Sequence, residues 1–235
     1  TEIYTLSLHD ALPILFQPED TEVATSQRAL EAAVGSGREV PDILRAEAEF
    51  VLGMLAERRG GYDLSAAERR YRQGLALYLS SGFPLEADRL LNTWGHQKSL
   101  LFEIEEAAYL LNRSRRMKEV KGDRLGLAFT LGCLGDNHRR AGEFGEAVAC
   151  YEEDLRIVEA FGVDHAAASV TCKLAEAEIC AGFIGCDAAV LDRGVARLRD
   201  LRCQDSLSEQ VSFFVGKGLA KGLLWKAVSS EPESR

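Results

Sequence analysis

Residues of one kind recur along this chain every 40 positions, and that period constrains the fold more than any single motif does. Gly82, Gly122 and Gly162 share one register, and Ala67, Ala107 and Ala147 share another. Leu64, Ile104, Phe144 and Ile184 make a third. Trp94, Leu134 and Leu174 make a fourth, each followed by a small residue, Gly95, Gly135 or Ala175. Leu52-Gly53 is the same pair one unit earlier, displaced by two residues that the Gly-rich stretch 58–62 absorbs. Self-similarity at a fixed period of about 20–50 residues marks repeat architectures, in which each unit buries its apolar face only by stacking on its neighbours.

Each unit reads as two helices. In residues 128–161, Leu131, Leu134, Gly135 and His138 form a stripe spaced by three and four, and Gly142 then stops the helix by taking a positive φ that costs glycine little. A second stripe follows at Phe144, Ala147, Val148, Tyr151, Leu155 and Val158, and Gly162 ends it. Two helices of about 17 residues with two short turns fill one period, at loop lengths that make neighbours antiparallel. The recurring small residues have a packing reason. Gly135 and Ala147 oppose each other where the helices cross, and Leu134 and Tyr151 fill the space on either side.

These residues resemble the tetratricopeptide repeat. In 128–161 the family pattern is met by Leu131, Leu134, Gly135, Gly142, Ala147, Tyr151 and Leu155, with His138 where Tyr is usual and Asp154 where Ala is usual. Residues 46–81 match through Leu52, Gly53, Ala67, Tyr71 and Leu75, and residues 88–121 through Leu91, Trp94, Gly95, Ala107 and Leu111. Residues 168–201 match through Leu174, Ala175, Gly182 and Ile184, although Asp187 takes the alanine register. The resemblance covers roughly 40–203. It implies an all-α solenoid of antiparallel helix hairpins wound into a right-handed superhelix. It also implies a concave groove, lined by first helices, that holds a peptide or partner segment. Carried onto this chain, the groove positions are Arg89, Asn92 and His96, then Asp136, Arg139 and Arg140, then Ser169, Lys173 and Glu176. An ordinary solvated face explains these polar positions equally well. Their mixed charges do not reproduce the Lys/Asn-rich pattern with which some members clamp a terminal carboxylate.

The array is expected to run over 15–228, with partial units at both ends. Residues 21–35 read as a second helix, 206–228 as a long last helix able to cap the preceding hairpin, and 229–235 as a frayed tail. Residues 1–14, TEIYTLSLHDALPI, contain no Lys or Arg and resemble the translation of a sequencing adapter rather than a signal peptide. They are expected to be non-native, which makes the chain a fragment lacking an upstream part. Without Glu2 and Asp10 the formal charge of −9 becomes −7.

Composition excludes several classes. A 46% hydrophobic, acidic chain has material for a core but not the clustered basic surface that phosphate backbones require. No apolar run approaches the roughly 20 residues that span a bilayer. Motifs for chemistry are sparse. HExxH, GxSxG and GxxxxGK[ST] are absent, and 216–222, GKGLAKG, reads as helix rather than phosphate loop. Glu103, Glu105 and Glu106 suit a solvated helix N-terminus better than a metal site or an acid/base pair. Glu152, Glu153 and Asp154 read as a solvated face, and His138 as a core residue rather than a base. Arg113, Arg115, Arg116, Lys118 and Lys121 fall where cations suit a helix C-terminus, with an acidic partner or phosphate as the alternative. The six cysteines, 133, 150, 172, 180, 186 and 203, contain no CxxC and read as reduced thiols rather than disulfides or zinc ligands.

The expectation is therefore a cytoplasmic, non-enzymatic protein–protein interaction scaffold or sensor arm with no cofactor, no nucleic-acid partner and no membrane partner. The resemblance suggests bacterial multidomain regulators. A self-association module is the second reading, and an enzyme built on a helical solenoid the third.

Overall fold

A computed structural model describes residues 40–58, 64–203 and 207–230, together with 28, 30–32 and 35. The expected adapter segment, two thirds of the expected 21–35 helix and most of the expected tail lie outside the described residues. Nine α-helices from Asp42 onward and one 3-10 turn make up the described fold. Two compact units divide at Gly95/His96, where the array reading placed no boundary.

The first unit holds α1 (Asp42–Arg58), α2 (Leu64–Ser80), a 3-10 turn (Pro84–Ala87) and the start of α3 (Asp88–Leu100). α1 packs on α2. Phe50, Tyr71 and Trp94 are buried in sequence of contact, with ring centroids 6.3 Å and 6.2 Å apart. Gly53 is required here, because a Cβ would lie 2.5 Å from the Tyr71 ring.

The second unit holds the rest of α3, then α4 (Ile104–Lys121), α5 (Arg124–Ala141), α6 (Phe144–Ala160), α7 (Asp164–Ile184), α8 (Ala188–Arg202) and α9 (Glu209–Ser230). From α4 on, each helix packs on the next, and α9 also packs on α7. The α5–α6 crossing repeats the chemistry of the first unit. A Cβ on Gly135 would lie 2.5 Å from Tyr151, and Ala147, Tyr151, Leu134 and Leu174 are all buried. Ala107 and Ala175 are fully buried as well.

The turns follow from backbone chemistry. Gly82, Gly122, Gly142 and Gly162 all have φ between 67° and 81°. At the last three, the following N–H donates to a carbonyl five residues back, as Glu143 does to His138 at 2.9 Å. The α3–α4 turn makes the same bond, Glu103 N–H to Lys98, with Phe102 at φ 60° in place of glycine.

The period fails in the last hairpin. Leu64, Ile104 and Phe144 each open a second helix, whereas Ile184 closes α7 and is exposed. α7 runs 21 residues, through Gly182, and turns at Cys186, φ 52°. Asp187 caps α8, accepting from the N–H groups of Ala189 and Val190 at 3.0 and 3.2 Å. Gly182 is a crossing residue here, because a Cβ on it would lie 2.4 Å from the backbone nitrogen of Leu191.

Candidate partner-binding face

Four long-range contacts join the first helices of successive hairpins. In the first unit, Arg89 of α3 reaches Glu47 of α1 at 3.4 Å. In the second, Arg140 of α5 donates to Ser99 of α3 at 3.1 Å, and Lys173 of α7 donates to Asp136 of α5 at 3.0 Å. Lys221 of α9 approaches the Cys180 sulfur of α7 at 3.2 Å. The partners are 42 residues apart in the first unit and 41, 37 and 41 apart in the second, where the period is written into a polar seam between these helices.

The densest part of that seam is centred on Asp136. Its carboxylate accepts from the Tyr151 hydroxyl at 2.7 Å and from Lys173, and Arg139 lies 3.7 Å away. Burial alone would raise its pKa, but Lys173, Tyr151 and Arg139 together hold it below the usual carboxylate range. Burial pushes the Tyr151 hydroxyl up, and Asp136 reinforces it. Burial works against the Lys173 ammonium, yet Asp136 keeps its pKa above the ordinary value.

Asp154 sits one turn further along α6. It is 4% exposed, forms no hydrogen bond among the described residues, and its carboxyl oxygen would lie 2.8 Å from a Cβ on Gly132. Burial, against Lys173 and reinforced by Asp136, raises its pKa to about 7. The expectation that 152–154 form one solvated face therefore fails at Asp154, while Glu152 is exposed and Glu153 half-buried.

The nine expected groove residues divide by exposure. Arg89 is exposed, and His96, Arg139, Arg140, Ser169, Lys173 and Glu176 are half-buried. Asn92 and Asp136 are buried, at 1% and 7%, which corrects their placement on an open face. A polar residue flanked by apolar neighbours reads as outward-facing, but here polar partners inside the packing satisfy Asp136. The sequence reading also missed Tyr151 as a polar participant, because its ring satisfied the packing pattern and nothing marked its hydroxyl.

Other sequence candidates are absorbed by structure. Lys118, 3% exposed, donates to the Gly126 carbonyl and the Thr130 hydroxyl, and Arg115 pairs with Glu119 at 2.8 Å. Glu103 and Glu106 both pair with buried Lys98, at 2.8 and 3.2 Å. His138 is half-buried and bonded to Glu143 at 2.6 Å, so it is not a core residue. None of the six cysteines is joined in a disulfide. Residues 216–222 lie within α9, where Gly218 and Gly222 let Leu198 and Val195 approach. No group of three metal-ligating side chains is gathered among the described residues, and no helix among them is long and apolar enough to cross a membrane. An open depression of about 540 Å³ between α6, α7 and α8, with Thr171, Arg197 and Asp200 in its lining, contains none of the expected groove residues.

No family model matches the chain, and no curated protein matches it.

Proposed function

We propose that the helix hairpins form a tetratricopeptide-like solenoid whose first helices present a binding face for an extended peptide or protein segment. The protein then acts as an interaction scaffold rather than an enzyme. The observation that carries this reading is the seam of first-helix contacts at separations near 40 residues, which stacked hairpins produce and a closed bundle does not. In the second unit, Arg139, Lys173, Ser169 and Glu176 stand half-buried along that seam, so both signs of charge and a hydroxyl are offered from rigid helices. Such a surface recognises sequence through charge register rather than one deep pocket.

The test is selection from a peptide display library on the immobilised full chain, followed by titration of the selected peptides against Arg139→Ala/Glu176→Ala. Neither substitution removes a partner of Asp136's hydrogen bonds, so helicity by circular dichroism should be kept. Affinity should fall at least tenfold, or about 1.4 kcal/mol. Peptides that bind the variant equally well, or a library that yields no binder, overturn the reading.

A further inference from the structure

We propose that α9 is a dimerisation helix whose outer face is covered by the α9 of a second copy. This rests on α9 alone and not on the peptide-binding reading. Val215, Leu219, Gly218 and Gly222 turn towards α7 and α8, and Trp225 stacks on Phe183 with centroids 4.2 Å apart. The opposite side is also apolar. Phe213, Phe214, Leu223, Leu224 and Val228 are 69, 40, 45, 62 and 57% exposed. Exposed Gly216, Ala220 and Ala227 continue the same half of the helix, and Lys217 is its one charge between Phe213 and Val228 apart from the half-buried Lys221 at its edge.

A helix that carries large apolar side chains on both sides leaves one apolar side to be covered. A helix closing a stack of hairpins carries a polar outer face, and α9 does not. The five large side chains expose on the order of 500 Å² of apolar surface, so two copies face to face would bury about 1,000 Å², the lower bound for a specific interface. The face fits itself. A two-fold axis beside Ala220 sets Phe213 of each copy opposite Val228 of the other over a stripe about 22 Å long. The small residues Gly216 and Ala220 then lie near the axis, where two backbones can approach. Charge does not oppose the pairing. The chain carries −9, but α9 carries Glu209 against Lys217, Lys221 and Lys226, a net of +2. Lys226 is already committed to Asp192, and Lys221 lies over the Trp225 ring.

Sedimentation velocity of the full chain over two decades of concentration tests this. A closed monomer–dimer equilibrium is expected, with Leu224→Glu weakening it at least tenfold and Leu79→Glu, at an exposed leucine on α2, leaving it unchanged. Oxidised Ala220→Cys should add a covalent dimer beyond any that the native exposed Cys186 and Cys203 form. Four results overturn the proposal: a monomer at every concentration, open-ended aggregation, a dimer indifferent to Leu224→Glu, or no added crosslink. A monomer would mean that another protein, or residues beyond α9, cover the face. Peptide affinity is measured separately on Leu224→Glu, so failure of one reading leaves the other standing.

Discussion

Among the described residues, Asp154 is a buried carboxyl whose surroundings work against its ordinary charge. Its carboxyl is packed against Gly132 without a hydrogen-bond donor, and its pKa rises to about 7. A carboxyl held above its unfolded value binds its proton more tightly when folded. Its contribution is therefore present at low pH and lost as pH climbs from about 4 to about 7. Asp136 acts in the opposite sense and in a separate window, because its depressed pKa withdraws stability only below about pH 4. Asp154→Asn keeps the shape of the protonated carboxyl and cannot ionise. The variant should match the parent near pH 4 and exceed it increasingly towards pH 8, by a few kcal/mol at most for a carboxyl pushed up to about 7. Urea midpoints measured at intervals across that range read the difference directly, and a gap that does not grow with pH contradicts it.

At the scale of elements, the turns show what the sequence could disclose. Gly122, Gly142 and Gly162 announce themselves, because only glycine enters the left-handed region without cost, and their spacing of 20 marks every helix end between α4 and α7. Phe102 sits 20 residues before Gly122 and adopts the same conformation, but its side chain hides the turn from any reading based on glycine. Cys186 does the same after α7, so the 40-residue register reaches Ile184 in the sequence although that residue ends α7 instead of opening α8. The packing stripe was legible because buried Leu134, Ala147 and Tyr151 carry its spacing. The Asp136 network was not, because its partners Tyr151 and Lys173 lie 15 and 37 residues away and nothing local marks them. Phe102→Gly follows from this. The side chain is 69% exposed, so its removal forfeits little burial and relieves a left-handed conformation that costs a non-glycine residue about 1–2 kcal/mol. Part of that is returned as the extra entropy of unfolded glycine. A net stabilisation of about 0.5–1 kcal/mol in urea unfolding is expected, and a loss of stability would show that Phe102 makes contacts its exposure conceals.

For the second unit taken as a whole, the pattern of packing bears on how cooperatively it unfolds. Among its described helices, α9 packs on α8 and α7, and no comparable packing joins it to α4, α5 or α6. If stability is a sum of local hairpins and nearest-neighbour interfaces, removing one end should loosen only what it touched. Truncation after Cys203 strips Val215 and Leu219 from the cluster that contains Ile179, Val195 and Leu198. Losing such buried side chains costs several kcal/mol at the local site. Hydrogen exchange should then report at least a tenfold loss of protection in α8 and the C-terminal half of α7. Amides of α4 and α5 should keep theirs. The truncated chain also lacks the proposed dimer face, so its reference must be Leu224→Glu, which retains α9 and is expected to be monomeric. Against that reference, a protection loss that stays within α7 and α8 fits stacked hairpins that communicate only with neighbours. A loss shared by α4 and α5 would instead make the second unit one cooperative core, and the seam between first helices would then be a feature of that core rather than of a solenoid.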